Sequence, residues 1–134
     1  MLVLLLACTT DTDTGDTAGD LEPTLTNVQA EVFTPSCAFS TCHGEGDGSA
    51  NLLLAEGSSH ADLVGVPAEG DATSGAPADG SVRVVAGDPD GSYLVQKLQT
   101  TGTFVGDIMP DPAGLDAERL ALVRAWIEAG AKDD

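Results

Sequence analysis

Between residues 37 and 43 the chain reads Cys-Ala-Phe-Ser-Thr-Cys-His, which puts two thiols and an imidazole within seven residues. No other stretch gathers so much reactive chemistry, so the fold has to be built around what these groups do. Three chemistries are open to them. A cysteine pair followed at once by histidine can bond haem through two thioethers and offer the iron an imidazole ligand. The same thiols could close a small disulfide loop in an exported protein. With His43 and His60 they could also make up the four ligands of a zinc site. A disulfide does not need a histidine directly after its second cysteine. Haem attachment uses all three groups, although its usual spacer is two residues and this one is four.

Length and composition add a second constraint. A chain of 134 residues can form one domain with a modest core, and it brings only three Phe, one Tyr and one Trp to that core. A buried porphyrin would add a large flat apolar body to so thin a supply. The formal net charge is −17, from 22 acids against the five cations Arg83, Lys97, Arg119, Arg124 and Lys132. Such a surface repels nucleic acid and anionic lipid headgroups and favours basic protein partners. Motifs for catalysis are missing from the sequence: there is no G-x-S-x-G, no H-E-x-x-H and no phosphate-binding glycine loop.

The third cysteine, Cys8, stands in another context. It ends the apolar run Met1 to Ala7, and Leu-Leu-Ala-Cys resembles a bacterial lipoprotein signal in which the cysteine becomes the lipidated residue. No lysine or arginine precedes that run. The division expected is a signal segment over 1–8, an acidic Thr/Asp tether over 9–24 without a large apolar run, and a folded domain over 25–134. Nothing else in the chain is long and apolar enough to be a membrane-spanning helix, so the membrane would be reached through the lipid anchor alone.

Within the domain the pattern is mainly helical. Thr26 with Gln29 matches a capping box, Val28 and Val32 share a face beside Phe33, and Pro35 is expected to close that helix. Gly44, Gly46 and Gly48 suit a turn after His43, followed by the apolar runs Leu52 to Leu54 and Leu63-Val64. Residues 66–81 read as a surface loop and 81–85 as a short strand. Asp88 with Pro89 predicts a helix start whose buried side is Tyr93, Leu94, Val95 and Leu98. Asp88 and Asp90 lack the companions of a calcium loop and read as caps. Met109 lies in a loop over 100–114, and the clearest helix follows it. There Asp116 caps, Leu115 and Leu120 take the staple positions, Leu120, Val123 and Ile127 line one face, and Gly130 terminates.

Taken in order, CAFSTCHG, NLLL, LVGVP, RVVAGDPDGSYLVQKL, IMP and LVRAWIEAGA resemble a bacterial c-type cytochrome domain of the kind found in exported lipoproteins. The resemblance runs from about Leu25 to Lys132 and implies a small class I-like, mostly α domain around one covalent haem c. It implies thioethers at Cys37 and Cys42, His43 as proximal ligand and Met109 as distal ligand, with His60 the competing sixth ligand. His60 itself, in a polar Ser-Ser-His-Ala-Asp stretch, reads as an exposed or capping side chain. The function implied is one-electron transfer between protein partners at the bacterial cell envelope, in the periplasm or at the outer membrane, by a carrier and not an enzyme. The alternative is a haem-free binding module of the same fold, stapled by a Cys37–Cys42 disulfide and displayed on the lipid anchor.

Overall fold

The computed structural model describes residues 20–70, 75–99 and 104–134. The expectations for Cys8, for the tether up to residue 19, and for loop residues 71–74 and 100–103 lie outside them. The described residues are helical, with long connections and no strands. Helix α1 covers 25–36, a single turn covers Ser49–Asn51, α2 covers Ser59–Leu63, α3 covers Tyr93–Leu98 and α4 covers Ala117–Glu128. The segment expected as a strand makes only isolated bridges, Val84 with Val64, Val82 with Pro67 and with Ser92, and Val85 with Asp88. Gly65, with φ 73°, and Pro67, which has no N–H, interrupt the facing chain, so no ladder propagates.

Helix α1 departs from its sequence reading at both ends. Its cap is Thr24, which accepts from Asn27 N at 3.2 Å, and Thr26 instead donates its hydroxyl to Asp134 O at 2.9 Å. Gln29 is buried and turned away from the helix end. Its amide donates to Leu54 O at 2.9 Å and its carbonyl accepts from Ser59 at 2.7 Å, tying α1 to the 52–54 run and to α2. Such a group costs little only when its partners are in place. Ordered packing also begins ahead of Leu25, since Leu21 lies against the core.

Pro35 does not end α1 either. The helix widens into a π turn over Gln29–Phe33 and continues through Thr34–Ser36, with Pro35 in its first turn. In a regular helix the N–H missing from Pro35 would have served the Glu31 carbonyl. That oxygen accepts from Arg119 Nε of α4 at 2.9 Å. The irregular turn is thus completed from another helix.

Helix α4 follows its sequence closely. Asp116 accepts from Arg119 N at 3.0 Å, and Leu122, Val123, Trp126 and Ile127 are buried. Gly130, at φ 108°, closes it: Gly130 N reaches Ile127 O and Ala131 N reaches Trp126 O, the paired bonds of a Schellman cap. Trp126 and Phe33 are fully buried and supply much of the scarce aromatic core. The N–H of Trp126 is satisfied by Lys132 O at 2.9 Å. Helix α3, by contrast, begins later than expected. Asp88 closes a turn by accepting from Gly91 N at 2.9 Å, and the helix is entered from Ser92, whose hydroxyl is buried against Asp88 O at 2.7 Å.

Truncating Trp126 to Ala should cost about 3–5 kcal/mol, and Asp116→Ala about 1 kcal/mol. Urea unfolding followed by circular dichroism checks both, and a larger effect at Asp116 than at Trp126 would contradict this view of α4.

Candidate functional site

The spacer between the two cysteines is wound into a hydrogen-bonded turn. Cys42 N and Gly44 N both donate to Phe39 O at 2.9 Å, and His43 N donates to Cys37 O at 3.2 Å. The four intervening residues are therefore taken up by the turn's own backbone, which leaves Phe39 outward at 52% exposure. Cys37, at the end of α1, is buried in the core, whereas Cys42 is exposed. Both thiols are free. Burial, and secondarily the neighbouring Cys42, push the Cys37 thiol up to about 11.

His43 is half-buried, and its Nδ1 lies 2.9 Å from Leu52 O. A carbonyl only accepts, so Nδ1 carries the proton in this bond and the neutral ring keeps its lone pair on Nε2. That is how a metal-ligating histidine is usually prepared, one nitrogen held by a carbonyl and the other left for the metal. Burial holds the imidazole below its ordinary value, and the charges of Arg83 and Lys97 push the same way against the carbonyls of Leu52 and Ser49. The ring is accordingly neutral at pH 7.

Leu52 O is held in turn by a tightly used stretch of backbone. Leu52 N donates to Ser49 O at 3.2 Å, Leu53 N to the Asp62 carboxylate at 2.8 Å, and Leu54 N to His43 O at 2.7 Å. Ahead of it Ala50 and Asn51 are left-handed at φ 55° and 54°, a conformation that costs about 1–2 kcal/mol at an alanine and less at an asparagine. Gly48 has φ 66°, and a Cβ there would fall 2.0 Å from Leu52 O. A side chain at that position would displace the acceptor on which His43 rests.

Arg83 completes the seat, and the sequence reading missed it. It is buried, and its guanidinium donates to Ala50 O at 2.9 Å, Asn51 O at 3.0 Å and Asp62 O at 2.8 Å. The available signal was a cation inside the apolar run Val82 to Val85 of a chain with so few cations.

Cys37, Cys42 and His43 are brought together by the turn itself. Met109 is partly buried against the same core that contains Cys37, and its N–H donates to Lys97 O at 2.7 Å. Lys97 holds the loop ahead of Met109, donating to Val105 O at 2.9 Å and also to Asp107 O. His60 is committed elsewhere, with Nε2 donating to Ala131 O at 2.9 Å. It lines a cavity of about 410 Å³ together with Gln29, Glu56 and Asp134, and none of Cys37, Cys42, His43 or Met109 borders it. Among the described residues no group of three or more His, Cys, Asp or Glu is placed to hold a metal ion, so a zinc site of Cys37, Cys42, His43 and His60 is not assembled. The donor set fits covalent haem in its chemistry: two free thiols beside a neutral imidazole whose Nε2 is unprotonated.

Three outcomes follow for the protein without haem. At pH 8 an alkylating reagent should modify Cys42 quickly and Cys37 at least tenfold more slowly; mass spectrometry of the peptides reads the order, and equal rates would contradict the burial of Cys37. Gly48→Ala should lower stability by about 1–3 kcal/mol through a strained backbone, as chemical denaturation would measure. Because His43 is depressed in the folded state, the stability it contributes is present above the ordinary value of 6.5 and is lost as pH falls through the folded one. His43→Gln should remove that part of the acid-side slope.

No protein family, no curated protein and no solved structure matches this chain.

Proposed function

We propose that this protein is a single-haem c-type cytochrome that carries one electron at a time between protein partners at a bacterial cell envelope. The observation that carries the proposal is the His43 ring, held through Nδ1 on Leu52 O and placed directly after two free thiols. Cys37 and Cys42 would bond the haem vinyl groups, His43 Nε2 would ligate the iron, and the Met109 thioether would be its second protein ligand. When bound, the haem supplies an iron that alternates between ferric and ferrous states. The chain's own contributions are attachment, a fixed imidazole and an apolar surround. In a domain so poor in aromatic residues, covalent attachment retains a cofactor that burial alone would hold weakly.

The charge of −17 supports the partner class: an acidic surface steers association with basic redox proteins and speeds encounter at low salt. Among the described residues no helix is long and apolar enough to cross a membrane. Attachment to the envelope would rest on lipidation of Cys8.

The test is a visible spectrum of the chain from Leu21 onward, expressed in a periplasm with haem-maturation machinery, then denatured and reduced in pyridine. A sharp α-band that stays with the protein is expected, and His43→Ala should abolish the native ferrous spectrum. Met109→Ala should lower the reduction potential by on the order of 0.1 V, a fraction of the range axial ligands span. A colourless protein without free thiols, from cells that mature a control cytochrome, would leave the disulfide-stapled binding module as the reading.

A further inference from the structure

Arg83 is the only cation buried among the described residues, and it spends its guanidinium on main-chain oxygens. Two of those oxygens belong to Ala50 and Asn51, the consecutive left-handed residues. The next carbonyl along the chain, Leu52 O, is the acceptor of His43 Nδ1 at 2.9 Å. The third oxygen, Asp62 O, belongs to α2, whose Asp62 carboxylate accepts from Leu53 N at 2.8 Å. One planar fork therefore grips the chain just before Leu52, and the residue whose carboxylate grips it just after.

The direction of Leu52 O is set by the peptide planes on either side of it. Ala50 has no side-chain reason to be left-handed, and neither residue is glycine. Without a donor between them, the Ala50 and Asn51 carbonyls would turn toward water and the pair would relax to an ordinary conformation. Leu52 O would then move off the imidazole. The ring would lose the bond that holds its proton on Nδ1.

We propose that Arg83 is the positioning residue for His43: by clamping the left-handed Ala50–Asn51 pair it aims the Leu52 carbonyl and so fixes the ring in its Nδ1–H form with Nε2 unprotonated. The fork geometry matters here, because an ammonium lacks the rigid plane that sets Nη1 on Asp62 O and Nη2 on the two adjacent carbonyls. This deepens the cytochrome reading and rests on it for its functional meaning, since an unprotonated Nε2 is what an iron needs. The geometry itself belongs to the protein without haem.

The experiment uses the full chain without haem, labelled with nitrogen-15 in histidine, at pH 8 where the ring is neutral. Nitrogen chemical shifts read which nitrogen of His43 is protonated. The wild type should show Nδ1–H as the dominant form. Arg83→Gln should lose that dominance and pass to Nε2–H, the form that free histidine favours in water. Arg83→Lys keeps the charge and the aliphatic stem, so it provides a folded variant where Gln does not fold, and it should show an intermediate mixture. Arg119→Gln removes another guanidinium from a main-chain carbonyl, lowers stability, and should leave the His43 tautomer as in the wild type. The proposal is overturned if Arg83→Lys, or a folded Arg83→Gln, keeps the wild-type tautomer. It is also overturned if Arg119→Gln shifts the tautomer as far as the Arg83 variants do. None of these readouts depends on haem, so a colourless protein would reject the cytochrome reading and leave this result standing.

Discussion

The hydrogen bond from His43 Nδ1 to Leu52 O is the contact on which the thiol–imidazole cluster depends. It joins the end of the cysteine turn to the apolar run Leu52 to Leu54, and that run is fastened to the rest of the domain at nearly every peptide. Leu54 O is taken by Gln29 of α1, Leu53 N by Asp62 of α2, and the two carbonyls before Leu52 by Arg83. Three parts of the chain far apart in sequence thus converge on the seat of one imidazole. A buried polar network of this kind stabilises little unless every member is satisfied, and then it specifies one arrangement. Among the described residues no buried side-chain nitrogen or oxygen is left without a partner.

The same economy runs through the core. With few aromatic residues, the domain places Trp126 and Phe33 at its centre and closes its ends with backbone contacts. Asp134 accepts from Leu25 N through its carboxylate at 3.0 Å and from Thr26 N through its carbonyl at 2.8 Å, so the start of α1 is capped by residues beyond α4. His60 fastens to the same region through Ala131 O. These links are short-range and polar, and they make the pairing of α1 with α4 less dependent on apolar area than a larger domain would be.

Much of the local structure was legible in the sequence because it is local. Asp116 and Gly130 bracket α4 by rules that act within one turn, and the apolar face between them follows the helical period. The misreadings arose where tertiary partners decided the matter. The capping-box spacing points to Thr26, yet Thr24 takes the cap and Thr26 gives its hydroxyl to Asp134 O. Gln29 has the right spacing for a capping box, yet its amide is worth more buried between Leu54 and Ser59. Pro35 reads as a stop until a π turn and Arg119 absorb its missing N–H. Asp-Pro-Asp-Gly fits both a helix start and a turn, and the buried hydroxyl of Ser92 selects the turn. At the candidate site the motif Cys37 to His43 was visible at once, whereas Arg83 was not, because its partners are backbone atoms that no side-chain pattern announces.

The central claim is that residues 37–43 form one covalent haem site with His43 as its imidazole. Peptide mapping by mass spectrometry, on protein purified from a haem-maturing periplasm, tests it most directly. The account predicts that the peptide spanning Cys37 to His43 carries one haem bonded at both cysteines, and that it stays bonded after denaturation. Recovery of that peptide with Cys37 and Cys42 joined to each other by a disulfide, and no haem mass, would contradict it.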